Sequence, residues 1–254
     1  MTMLDRPLAG RVALVTGATR GVGRAAALSL AAAGAHIIAV GRTQGALEAL
    51  DDDIMALGRE RATLVPMDIS KGHGIDQLGL AIFQRHGRLD VLVHAAAMLA
   101  GLRPVAHIAP VLWERILATN LTSAYRLIRS LEPLLRASDL ARAVFLTCEQ
   151  ASSPQPFWGS YAATKAGLEA MVRCWADEVD NSTIRALLVD PGAVRTKLRA
   201  EAFPGEDKDA LTHPDAIGPM IVDLVTGADP GLPGRVITYL DWACANSADA
   251  SGTP

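Results

Sequence analysis

The chain has 254 residues, half of them apolar, with 24 basic and 27 acidic side chains and a formal net charge of −3. This length and apolar content suit one large α/β domain, so we expect a single domain over residues 1–254. The nearly balanced charge provides no broad basic face. It argues against nucleic acid and membrane lipid as partners and favours a small-molecule ligand.

Signals for export, membrane insertion or metal binding are missing from the sequence. Asp5 interrupts the start before any long apolar run, which is not typical of a signal peptide. Residues 25–41 lack a formal charge, but Gly34 divides them into an alanine-rich helix and a β-type run. The cysteines, which have no paired short spacing and indicate neither zinc nor a redox pair, are Cys148, Cys174 and Cys244. We expect a reducing, cytoplasmic location.

Seven short apolar or β-branched runs alternate with segments of helical length. They span residues 11–16, 36–41, 62–67, 90–94, 143–147, 184–189 and 235–240. Alternating strands and helices are typical of a parallel sheet covered on both faces. We therefore predict a Rossmann-type, doubly wound α/β fold with a mostly parallel seven-stranded sheet and helices on both faces.

A glycine-rich turn joins the first strand to the first helix. Its residues are Gly17, Ala18, Thr19, Arg20, Gly21, Val22 and Gly23. Glycines let the backbone adopt positive φ and approach a pyrophosphate, whose charge is stabilised at a helix N-terminus. A turn without a ligand is the alternative, but the strand–turn–helix context predicts dinucleotide binding.

The residues after the second strand indicate which dinucleotide binds. NAD-binding proteins place a carboxylate there, whereas this chain has Gly41, Arg42 and Thr43. The guanidinium groups of Arg42 and Arg20 suit a 2′-phosphate, so NADP(H) is preferred over NAD(H). Two solvated surface arginines are the alternative interpretation.

Two C-terminal segments are unusual. The segment from residue 196 to about 233 is longer than a normal strand-to-helix connection. It fits either a mobile lid over the substrate or a solvated excursion of short helices. The polar, small-residue tail at 246–254 is expected to be flexible.

The chain resembles the short-chain dehydrogenase/reductase family over most of its length. The glycine turn with Thr16 resembles that family's TGxxxGxG motif, and residues 161–165 resemble its YxxxK motif. Tyr161 and Lys165 are four residues apart on a helix and project from one face, and an adjacent ammonium is expected to lower the pKa of the tyrosine. The resemblance implies that Tyr161 exchanges a proton with the substrate, that Lys165 holds the nicotinamide ribose and that Asn120 supports a proton relay through water.

Further cofactor contacts are also implied by the resemblance. Asp68 would meet the adenine with Ile69 against it, while Thr196 and the backbone of Val194 would hold the nicotinamide carboxamide. The remaining expected contacts are Ala95, Ala96, Pro191 and Gly192. A helix cap at Asp68 and an ordinary turn at Pro191 are the structural alternatives.

Two positions depart from the family pattern. Cys148 stands where the family has a serine that hydrogen-bonds the substrate oxygen, and a thiol is a weaker donor. Neighbouring hydroxyls that could replace the serine belong to Thr147, Ser152 and Ser153. The sequence His94-Ala-Ala-Ala replaces the family's NNAG, and His94 is interpreted as a hydrogen-bonded core histidine.

The sequence favours an enzyme that transfers a hydride between NADP(H) and a small carbonyl or alcohol. Tyr161, Lys165 and Asn120 favour this function, and Cys148 would attenuate it. The alternative is a sensor or regulatory protein that binds the cofactor with little turnover. By analogy with the family we expect a homodimer or homotetramer.

Overall fold

The computed structural model describes residues 6–227 and 234–251, with side chains described as far as residue 247. The strands are β1 (Val12–Thr16), β2 (His36–Gly41), β3 (Thr63–Pro66), β4 (Val91–His94), β5 (Ala141–Leu146), β6 (Ile184–Asp190) and β7 (Val236–Thr238). The helices are α1 (Gly21–Ala32), α2 (Gln44–Ala56), α3 (His73–His86), α4 (Pro110–Leu117), α5 (Ser123–Arg136), α6 (Gly159–Glu178), α7 (Lys197–Ala202), α8 (Ile217–Thr226) and α9 (Tyr239–Ser251).

The strands form one sheet in the order β3-β2-β1-β4-β5-β6-β7, and every neighbouring pair is parallel. The predicted Rossmann-type fold is therefore confirmed. The chain builds the sheet outward from β1 in one direction and from β4 in the other. At this reversal the connections after β1 and β4 turn to opposite faces and leave a crevice at the carboxyl ends of the strands.

Helices cover both faces of the sheet. Successive strand side chains point to opposite faces, so Leu14 and Val15 of β1 belong to two different cores. Helices α1, α2 and α8 pack on the face of Val15, and α3, α5 and α6 pack on the face of Leu14. Within the described ranges, no helix combines the length and apolar character needed to span a membrane.

The segment from 196 to 233 divides into two unlike parts. α7 lies beside the crevice, whereas Ile217, Met220 and Ile221 of α8 are completely buried against α1. The apolar face of α8 is part of the core, so neither a mobile lid nor a solvated excursion describes that helix, and a lid at the part around α7 stays a prediction. Residues 228–233 lie outside the described residues.

The tail continues the last helix instead of leaving it. Asn246 Nδ2 donates to Trp242 O at 2.9 Å, and Ser247 Oγ donates to Ala243 O at 2.7 Å. These bonds and the alanines of α9 favour helix, so residues 246–251 belong to α9, and flexibility of the tail stays a prediction. Residues 252–254 lie outside the described part of the chain.

Gly218→Val should destabilise the protein because α8 approaches α1 at this glycine. A Cβ atom there would lie 2.9 Å from Ser29 Cβ and 3.0 Å from Ala25 O. We expect the free energy of unfolding to fall by roughly 1–3 kcal/mol in urea denaturation. Gly205→Val is the matched control, since a Cβ atom at Gly205 meets nothing within 4 Å. Equal losses in both variants would contradict the packing argument.

Candidate functional site

A cleft of about 280 Å³ opens at the carboxyl ends of the central strands. Its lining includes every site residue predicted from the sequence except Asn120. These residues are Gly17, Thr19, Arg20, Gly21, Val22, Gly23, Arg42, Thr43, Asp68, Ile69, Ala95, Ala96, Cys148, Tyr161, Lys165, Pro191, Gly192, Val194 and Thr196. The topology thus brings together side chains that are almost 180 residues apart in sequence.

The glycine turn is packed too tightly to accept side chains. Gly17 has φ +66°, and a Cβ atom on it would lie 2.9 Å from Ala96 N. A Cβ atom on Gly23 would collide with Gly17 O and lie 3.2 Å from Ala95 Cβ. The bare backbone and the N-terminus of α1 therefore face the cleft, an arrangement that suits a phosphate group.

Two arginines, Arg20 and Arg42, line the same cleft beside the end of β2. Neither Arg20 nor Arg42 forms a salt bridge with any residue in the described ranges. Burial raises the pKa of Asp68, but hydrogen bonds from Ser70 and the charge of Arg42 outweigh burial and hold it below its ordinary value. Asp68 is thus ionised at neutral pH, and its Oδ1 is bonded by the Ser70 N–H at 3.0 Å.

Tyr161 and Lys165 lie on one face of α6 and are both buried. Lys165 Nζ donates to Leu146 O at 2.6 Å and lies 5.7 Å from the centroid of the Tyr161 ring. The Tyr161 hydroxyl is within hydrogen-bonding reach of the Cys148 thiol. An acid–base group, an ammonium and a thiol therefore share one end of the cleft.

The expectation that Lys165 lowers the pKa of Tyr161 is wrong for this structure. Burial raises the pKa of Tyr161 well above its ordinary value, and the neighbouring Cys148 and Asp190 raise it further. Burial also lowers the pKa of Lys165, although Cys148, Asp190 and Glu169 partly offset this effect. Tyr161 is therefore a neutral phenol at neutral pH, which makes it a proton donor.

Asn120 does not line the cleft. It lies in a π-helical turn, Ala118–Thr122, and its side chain is completely buried. Its Oδ1 accepts from Met98 N at 2.9 Å, while its Nδ2 donates to Met98 O at 2.9 Å and to Thr164 Oγ1 at 3.2 Å. The amide thus joins the segment after β4 to the turn of α6 that follows Tyr161, and the proton relay that the resemblance implies stays a prediction.

The hydroxyl groups near Cys148 do not take the place of the missing serine. Thr147 Oγ1 donates to Glu169 Oε1 at 2.6 Å, and Glu169 is also bound by Arg173. Ser152 Oγ donates to Glu149 O at 3.3 Å. Ser152 and Ser153 are exposed, and neither lines the cleft.

His94 is a neutral core histidine, as the sequence indicates. Ala96 N donates to Thr16 Oγ1 at 3.3 Å, so the Thr16 hydroxyl is free to donate to His94 Nδ1 at 2.9 Å. Ser123 Oγ donates to Thr119 O at 2.6 Å and accepts from His94 Nε2 at 3.4 Å. Burial and then the charge of Lys165 lower the pKa of His94 to about 3.

Several polar side chains that line the cleft were not predicted from the sequence. They are Arg115, Gln150, Lys197 and Arg199. The position of Gln150, two residues after Cys148, was an available signal, whereas nothing in the sequence around Arg115 indicates a site. Among the described residues, no group of three or more potential metal ligands is found.

These features define a Rossmann-type α/β protein with a cleft at the switch point of its sheet. The family model for short chain dehydrogenase matches residues 11–207. Uncharacterized oxidoreductase YciK from Escherichia coli is 33% identical over 218 residues, which cover 85% of this chain and 86% of that protein.

Solved structures are similar over nearly the whole chain. A short-chain dehydrogenase from Shigella flexneri complexed with NADP has a TM-score of 0.88 and 30% identity, and the match covers 93% of this chain and 99% of that one. Another, from Escherichia coli and complexed with NADPH, has a TM-score of 0.86 and 31% identity, with 92% and 98% covered. This chain belongs to the short-chain dehydrogenase family, whose members are oxidoreductases.

His94→Asn should change how stability depends on pH. The unfolded chain protonates this histidine near pH 6.5, whereas the folded protein does so only near pH 3, so protonation of the unfolded state lowers stability between those values. Denaturation at stepped pH should show a slope shallower by up to ~1.4 kcal/mol per pH unit in the variant. His107→Asn, at an exposed position, should keep the wild-type slope. Identical slopes for wild type and His94→Asn would refute the neutral assignment.

Proposed function

We propose that this protein is an NADP(H)-dependent oxidoreductase that transfers a hydride between the nicotinamide and a small carbonyl or alcohol, with Tyr161 as the acid–base residue. The observation that carries the proposal is the buried pair Tyr161 and Lys165 at the end of a cleft whose other end is a bare glycine turn flanked by arginines. A neutral tyrosine carries the proton that reduction of a carbonyl requires.

The cleft suits NADP(H) at both of its ends. The packed turn at Gly17 and Gly23 leaves backbone N–H groups for the pyrophosphate, and Arg20 and Arg42 supply planar cations for a 2′-phosphate. Relatives solved with NADP and NADPH support the same preference. Residues at the other end, including Val194 and Thr196, would hold the nicotinamide.

NADPH, when bound, supplies the hydride that reaches the carbonyl carbon. The Tyr161 hydroxyl donates its proton to the carbonyl oxygen, so that the product is the alcohol. Lys165, held by Leu146 O, lies beside the Tyr161 ring and would hold the nicotinamide ribose. Apolar neighbours of Tyr161, with Trp158 at a ring-centroid distance of 5.9 Å, keep water from this pair.

Arg42→Ala should weaken NADPH binding selectively. Loss of the charge-assisted bonds to the 2′-phosphate is expected to raise the Kd for NADPH roughly 10-fold to 100-fold, with the Kd for NADH unchanged. Tryptophan fluorescence is the measurement, because Trp158 lines the cleft. Arg129→Ala, at an exposed arginine of α5 outside the cleft, is the control. An equal increase in Kd for NADPH and NADH would contradict a contact between Arg42 and the 2′-phosphate.

Tyr161→Phe should abolish most turnover without affecting cofactor binding. Removing the proton donor is expected to lower kcat roughly 100-fold to 10,000-fold in NADPH oxidation with aldehydes and ketones. Tyr125→Phe, in which a half-exposed tyrosine of α5 loses the same hydroxyl, should keep full activity.

Two outcomes would decide against this function. Wild-type protein that binds NADPH tightly but reduces no carbonyl compound would favour the sensor or regulatory alternative. Turnover that survives in Tyr161→Phe would remove the acid–base role from this residue.

A further inference from the structure

In the family pattern, a serine hydroxyl at this end of the cleft donates a hydrogen bond to the substrate oxygen. Cys148 stands in the place of that serine and lines the cleft. Burial raises the pKa of the thiol, so Cys148 is neutral and can offer the substrate only a weak S–H donor. The other hydroxyls close in sequence are bonded elsewhere or lie outside the cleft.

Gln150 is the neighbouring side chain that meets the requirement for a donor. It lines the cleft together with Cys148, Trp158 and Tyr161, and it is half-buried. Its amide makes no hydrogen bond to any residue in the described ranges. A primary amide carries two N–H donors, each stronger than a thiol.

The backbone that carries Gln150 is held in one conformation. Residues Glu149–Ala151 form a single 3-10 turn directly after β5 and Cys148. Ala151 N donates to Cys148 O at 3.0 Å, and Ser153 N donates to Glu149 O at 2.9 Å. The turn thus fixes the position of the Gln150 backbone at the cleft, which limits the reorganisation needed to bring its amide to a developing charge.

We propose that the Gln150 side-chain amide donates a hydrogen bond to the substrate carbonyl oxygen, in the role that the serine hydroxyl has in the family pattern, and is thus a catalytic residue. This inference rests on the proposed function. Tyr161 remains the group that transfers the proton, and Gln150 exchanges no proton but stabilises the negative charge that develops on the oxygen during hydride transfer.

The first test is removal of the amide donors. Gln150→Leu and Gln150→Glu are expected to lower kcat on the order of a hundredfold with para-nitrobenzaldehyde and saturating NADPH. The Kd for NADPH and the thermal midpoint should stay at wild-type values. Gln155→Leu is the matched control, because Gln155 is exposed in the same connection and lies outside the cleft.

The second test restores the serine. In a Cys148→Ser background the hydroxyl supplies the donor, so Gln150→Leu should then cost less than about fivefold in kcat, and the double-mutant cycle should be strongly non-additive. The role of Gln150 would be overturned if Gln150→Leu lowered kcat no more than Gln155→Leu does. It would also be overturned if Gln150→Leu lowered kcat as much in the Cys148→Ser background as in wild type. Either result would leave the reductase function intact. Absence of turnover in wild type and in Cys148→Ser would overturn both proposals.

Discussion

The close contact between the glycine turn and the segment after β4 is the constraint on which the site depends. A Cβ atom on Gly17 would press on the backbone of Ala96, and one on Gly23 would press on Gly17 O and Ala95. Small residues on both sides bring β1 and β4 together at the switch point of the sheet. With larger side chains the turn would be displaced, and its N–H groups would no longer face the cleft.

A buried polar network continues from this contact to the other end of the site. Thr16, His94 and Ser123 join β1 and β4 to the π-helical turn, and Asn120 joins that turn to Met98 and Thr164. Because these groups are buried and bonded, each has a strong preference for one arrangement. The network explains how a histidine can replace the family's asparagine without loss of order: its two ring nitrogens bond a hydroxyl on each side.

Burial controls the chemistry of the reacting end. It holds Tyr161 as a neutral phenol, raises the pKa of Cys148 and lowers that of Lys165, so charge is minimised where the substrate oxygen would lie. Preorganised donors matter most in such a site, because little water is present to stabilise a developing charge. Where a thiol replaces the hydroxyl, the amide of Gln150 is a donor at the cleft that could stabilise this charge.

The sequence by itself determined the fold class, since strand and helix periods are local, and it determined the dinucleotide cleft, since the glycine turn and the tyrosine–lysine pair have short, specific spacings. All seven predicted strands overlap the observed ones. β5 begins two residues earlier than predicted, at Ala141, and the last prediction was too long at its C-terminal end, where Tyr239 and Leu240 begin α9. Self-association and a cytoplasmic location stay predictions. Only the tertiary structure decided that α8 belongs to the core, that Asn120 lies outside the cleft lining and that Gln150 lies within it. It also decided that the Thr147 hydroxyl is bonded to Glu169 and that burial raises the pKa of Tyr161. Each of these depends on which distant side chains pack around a group, and no local pattern contains that information.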